Sequence, residues 1–108
     1  MIDTVYYTPT LRIHRDGTVE RYFKRRKDAS GVKRSVNDWH VVEPTPDSNF
    51  YLKIMVNAKS TYIHRLVGCC FLGLNMEEGW NSMIDHIDRN PSNNRVDNLR
   101  IVNNQENQ

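Results

Sequence analysis

The run Met83-Ile-Asp-His-Ile-Asp-Arg-Asn-Pro-Ser-Asn-Asn-Arg-Val-Asp-Asn-Leu-Arg-Ile-Val-Asn-Asn-Gln-Glu-Asn107 decides how this chain is read. It opens on a short apolar segment ending in the pair Asp85-His86. An Asn-rich loop follows, then a second apolar segment that includes Asn98. The spacing predicts a strand over Ser82–Ile87, a partner strand over Val96–Val102, and a final helix begun at Asn103, a residue type suited to an N-cap. Successive residues of a strand point to opposite faces. Asp85 and His86 can therefore serve one site only where their strand ends or kinks, and the Asn-Pro-Ser-Asn-Asn run starts a turn almost at once. Asn93 and Asn94 suit Asx-turns and left-handed backbone, so they read as loop formers.

The chemistry of these side chains is specific. Asp85 offers the anionic oxygen that hard cations such as Mg²⁺ or Mn²⁺ take as a ligand, with water and phosphate completing the shell. His86 carries an imidazole able to accept a proton from water near neutral pH. A carboxylate, an imidazole and carboxamide oxygens around one divalent cation suit phosphodiester hydrolysis.

The order Asp-His, Asn-Asn, Asn-Leu, Asn at these intervals resembles the HNH endonucleases. The nearest likeness is to their phage and intron-encoded homing branch, whose last signature residue is Asn. The resemblance implies a metal held by Asp85 and Asn107 and His86 as general base. It also implies that Asn98 ties the loop between the two strands and helps orient that base. Upstream, Tyr62-Ile-His-Arg-Leu-Val-Gly-Cys-Cys-Phe-Leu-Gly73 is similar to the helix that precedes the catalytic ribbon in those enzymes. His64 and Arg65 at its start are expected to brace the ribbon or contact the scissile region. One residue follows Asn107, so the last helix is expected to be truncated and marginal alone.

Working outward, Leu66, Val67, Cys70, Phe71 and Leu74 fall on one face of a helix over about 64–74, with Gly73 and Asn75 as stops. Phe50–Val56 alternates, with Leu52, Ile54 and Val56 on one face, and Asn57-Ala-Lys59 turns it into Ser60–Ile63. Leu11–His14 and Val19–Phe23 read as strands joined through Gly17. Asp38–Val42 reads as a further strand, closed by Pro44 and Pro46. The expectation is an α+β fold: N-terminal antiparallel β-hairpins, one amphipathic helix, then a C-terminal ββα-metal (HNH) motif. Residues 1–60 form a β-rich DNA-binding region with a basic loop and 61–108 the nuclease region, together one compact unit.

At 108 residues one small domain is the limit, and a mean hydropathy of −0.71 points to a modest core with polar connections. No segment has the length of a membrane span and the N-terminus lacks the order of a secretory signal, so a soluble, cytoplasmic protein is expected, in a bacterial host if phage-encoded. The adjacent Cys69-Cys70 do not have zinc-site spacing, and buried free thiols without structural zinc are expected. The net charge of +2 hides an asymmetry: residues 21–34 carry +6 and the remainder −4. Lys24, Arg25, Arg26, Lys27, Lys33 and Arg34 read as a flexible, phosphate-binding loop or hairpin tip, joined by Arg65 and Arg100 as DNA contacts.

The sequence thus points to a Mg²⁺- or Mn²⁺-dependent endonuclease that nicks double-stranded DNA, with homodimerisation as a route to double cleavage. The alternatives are an inactive HNH-fold module that only binds nucleic acid, and a protein–protein module using the same fold.

Overall fold

The computed structural model describes residues 3–27, 30–77 and 83–102; for 25–27 and 33–36 it describes the backbone. Four strands, β1 (Thr4–Thr8), β2 (Leu11–His14), β3 (Val19–Lys27) and β4 (Lys33–Val41), form an antiparallel sheet in chain order. β5 (Thr45–Pro46), β6 (Leu52–Val56) and β7 (Lys59–Tyr62) make a second antiparallel sheet, and β8 (Met83–His86) pairs with β9 (Leu99–Val102) in a two-stranded ribbon. Between β7 and β8 runs the helix α1 (Ile63–Val67), which widens into a π turn over Gly68–Leu72. The architecture is mixed α+β with antiparallel strands and one helix, as expected.

The period-2 pattern of β6 puts Ile54 and Val56 inside while Met55 is exposed. β2 does the same with Leu11 and Ile13. These join Val19, Ile63, Leu66, Val67 and Leu99 in one apolar cluster, so both sheets, the helix and the ribbon share a core. Gly17, at φ +91°, makes the β2–β3 turn, and Asp16 Oδ1 accepts from Thr18 N at 2.9 Å to close it. The same turn seats the ribbon loop: Val96 N donates to Arg15 O at 2.8 Å.

Several boundaries differ from the sequence reading. Thr4–Thr8, which carried no usable pattern, adds an edge strand. The basic segment is not a loose loop. β3 runs to Lys27 and β4 starts at Lys33, with Arg26 opposite Arg34 and Lys27 opposite Lys33. β2 covers β3 only through Arg21, so beyond it β3 and β4 continue as a two-stranded arm, and Asp38–Val42 is the arm's return rather than a separate strand. The arm helps explain a radius of gyration of 15.3 Å, against ~13 Å for a compact chain of this length. Val96–Asn98 forms a 3₁₀ turn, and the partner strand starts only at Leu99, because the Asn98 side chain is drawn into the loop. The helix ends at Leu72, where Gly73 turns left-handed at φ +78°. The expected N-cap Asn103, the last helix and Asn107 lie outside the described residues.

Candidate active site

β8 ends at His86, and the chain turns away immediately: Arg89 N donates to His86 O at 3.0 Å, with Arg89 at φ +63°. The strand ends at His86, with Asp85 still paired opposite Arg100 and His86 opposite Leu99 in the ladder. His86 is buried at 6% exposure. Its Nε2 meets Asn94 Oδ1 at 2.8 Å, and its ring packs against Tyr51 (centroids 5.8 Å) and edge-on to His64 (5.1 Å). No described residue hydrogen-bonds to its Nδ1.

The loop that carries Asn94 is built on Asp88 and Asn98. Asn98 Oδ1 accepts from Asp88 N at 3.0 Å, while its Nδ2 donates to Asp88 Oδ1 and to Asn93 O, each at 2.9 Å. Asp88 also accepts from Asn93 Nδ2 and Asn90 N. These donors, Asn93 first, hold the Asp88 carboxyl below its ordinary pKa. Asn98, buried itself, thus ties the two ends of the loop together, and its side-chain hydrogen bonds go to Asp88 and Asn93 rather than to His86. Asn94 makes that contact instead, and sequence reasoning missed it. Two adjacent Asn residues in a turn carry no signal for which one faces inward.

Behind His86 lies a second polar-aromatic layer. His64, at the start of α1 and 8% exposed, stacks on Tyr62 (5.1 Å, 22° between planes) and packs on Tyr51 (5.4 Å). Tyr62 Oη donates to Asp47 Oδ2 at 2.7 Å, and Asp47 also accepts from Asn49 N and Tyr51 N, which shapes the turn that presents Tyr51. Burial first, then the neighbouring His86 and Arg65, pushes the His64 imidazole down to about 4, so it is neutral at physiological pH. Its Nδ1 is buried without a partner among the described residues. His64 braces the ring of His86. Arg65 sits half-buried one residue on.

Asp85 lies on the ribbon opposite Arg100, and its Oδ2 accepts from Arg100 Nε at 2.9 Å and Nη2 at 2.8 Å. The expected metal ligand and the expected phosphate contact are thus partners in one ion pair. Both side chains are open to solvent, at 42% and 63%, where such pairs are worth little and exchange readily. Asp85 offers an accessible carboxylate oxygen to a cation, which would have to displace Arg100 from it. Among the described residues no three His, Cys, Asp or Glu side chains are grouped around a common metal position. Cys69 and Cys70 are free thiols, half-buried rather than fully buried, and burial pushes Cys70 up to about 11. Lys24 is exposed on β3, while Arg25, Arg26, Lys27, Lys33 and Arg34 are placed by backbone along the arm.

Residues 61–108, which contain α1, the β8–β9 ribbon and its loop, match the family profile described as HNH endonuclease. This segment belongs to the HNH endonuclease family. Asp85, His86, Asn98 and Asn107 all fall within the HNH segment. The fold as a whole matches a solved structure described as DNA binding and cleavage by the HNH homing endonuclease I-HmuI, with a TM-score of 0.64 and 22% identity. That match covers 98% of this chain and 53% of the other, so the chain spans about half the length of that protein and extends the likeness of fold beyond the HNH segment. No curated protein matches the chain. No described helix is long and apolar enough to cross a membrane.

Proposed function

We propose that the chain is a divalent-metal-dependent DNA endonuclease of the homing type, hydrolysing phosphodiester bonds and nicking one strand per encounter. His86 is the general base. Its ring is held by Asn94, Tyr51 and His64, with Nδ1 left to take a proton from water attacking phosphorus. Asp85 and Asn107 would hold the cation, which supplies charge stabilisation to the departing 3′ oxygen when bound. Asn98 keeps the loop closed so that His86 stays at the end of its strand. Arg100 can leave Asp85 for a substrate phosphate, and Lys24, Arg25, Arg26, Lys27, Lys33, Arg34 and Arg65 supply further contacts to double-stranded DNA. The observation that supports this reading is the buried His86, hydrogen-bonded to Asn94 and one residue from the accessible carboxylate of Asp85, inside a segment that matches the HNH endonuclease profile.

The test is supercoiled plasmid with Mg²⁺ or Mn²⁺. His86→Ala is expected to nick at least ~100-fold more slowly than the parent while binding DNA as well, since a general base contributes about 10²–10⁴-fold. An alanine variant that nicks at the parental rate would defeat the assignment. A second reading, a module that binds nucleic acid without cutting it, is favoured by the Asp85–Arg100 pair, which occupies the carboxylate. It predicts salt-sensitive DNA binding indifferent to EDTA and to Asp85→Ala, with no cleavage under either metal.

A further inference from the structure

A neutral imidazole has one protonated and one bare nitrogen, and which is which is set by the partner of either. For His86 that partner is Asn94, whose carboxamide oxygen sits 2.8 Å from Nε2. An amide oxygen only accepts, so this contact requires the proton on Nε2 and leaves Nδ1 bare. The opposite orientation of the same amide would donate to Nε2, move the ring proton to Nδ1 and remove the nitrogen needed for base catalysis. The Asn94 Nδ2 is buried without a partner among the described residues, so the contact with His86 depends on where the loop holds this side chain. Asn94 is 4% exposed. Its backbone is seated against the β2–β3 turn of the N-terminal sheet, where a Cβ on Gly17 would lie 2.9 Å from Asn94 O and 3.1 Å from Asn94 Cβ. The neighbouring bond from Val96 N to Arg15 O pins the loop to the same turn.

We propose that Asn94, backed by the Gly17 turn, is a positioning residue that holds His86 as the Nε2–H tautomer and so presents Nδ1 for chemistry. This rests on the reading of His86 as base, but the tautomer itself can be read without any cleavage. Among the described residues the Asn94 carboxamide hydrogen-bonds only to the imidazole, so its effect on rate is exerted through His86. The N-terminal sheet thereby acts on the reaction through its turn, apart from any contact with DNA.

The experiment is ¹⁵N–¹H correlation spectroscopy of histidine-labelled protein, at mildly alkaline pH, on the parent, Asn94→Leu, Asn94→Asp and Gly17→Ala. His86 is expected as the Nε2–H tautomer in the parent. Asn94→Leu should give a mixture with the Nδ1–H form. Asn94→Asp keeps an accepting oxygen and should restore Nε2–H. Gly17→Ala should shift the tautomer ratio in the direction of Asn94→Leu, without altering any atom that touches His86. In the plasmid assay Asn94→Leu should lower kcat by about 10–100-fold with KM little changed, the range seen for orienting partners of functional imidazoles, and Asn94→Asp should recover most of it. A parent showing the Nδ1–H form would overturn the proposal even if Asn94→Leu fails to fold. So would an unchanged His86 tautomer in Asn94→Leu, and an unchanged tautomer in Gly17→Ala would remove the turn from it. A fully active His86→Ala would defeat the function instead and leave the tautomer result standing.

Discussion

His64 shows how one buried side chain sets a pH dependence. Its folded pKa of about 4 lies below the ordinary 6.5, so the unfolded chain binds a proton that the folded chain refuses. Folding stability from this residue is complete above pH 6.5 and is lost as pH falls towards 4. The full loss is of order 3 kcal/mol, from the 1.36 kcal/mol per unit relation. Asp47, Asp88, Glu20 and Asp16 are shifted in the same direction for the opposite reason: hydrogen bonds favour their charged form, so their contribution is lost only at lower pH. His64→Phe keeps a ring against Tyr62 and His86 and deletes the titrating group. It should be more stable than the parent near pH 4.5 and lose its advantage above pH 7, as urea denaturation at the two pH values will show. Equal sensitivity in both proteins would mean that His64 is charged in the fold.

At the scale of elements, the helix and the ribbon meet where there is no side chain. A Cβ on Gly68 would fall 2.6 Å from Ile84 Cδ1 and 3.0 Å from Ile84 Cγ1, so β8 lies directly on the π turn. Gly68→Ala should cost about 1–3 kcal/mol by overpacking, partly offset by alanine's higher helix propensity. In an Ile84→Val background, which lacks Cδ1, the same change should cost less. A double-mutant cycle by denaturation measures the difference, and zero coupling would separate the two elements. The helix, the β6–β7 hairpin and the Gly17 turn were legible in the sequence because period and turn chemistry are local. The 3₁₀ turn at Val96–Asn98 was not, since the bonds from Asn98 to Asp88 and Asn93 reach across the loop and override an apparent strand. Asp85, His86 and Asn98 were readable as a spaced signature. Tyr51 and Asp47 were not, because a turn between β5 and β6 reaches His86 only through tertiary packing.

For the whole molecule, charge placement and core placement have different consequences. The backbone register sets Arg26 opposite Arg34 and Lys27 opposite Lys33, and like-charged residue types at opposed positions destabilise an antiparallel pair. A polyanion relieves it. Replacing Arg26 and Lys27 with Gln should raise the melting temperature and weaken DNA binding. It should also flatten the slope of log K against log salt by up to ~2, at about 0.9 per phosphate contact released. A slope equal to the parent's would place the arm away from DNA. The shared apolar cluster bears on how such a protein could be recombined. A breakpoint near residue 60 would part Leu66, Val67 and Leu99 from Leu11, Ile13 and Val19. The HNH segment is thus no portable unit: a chimera keeps its shape only if the incoming front half brings a surface moulded to the same inner wall.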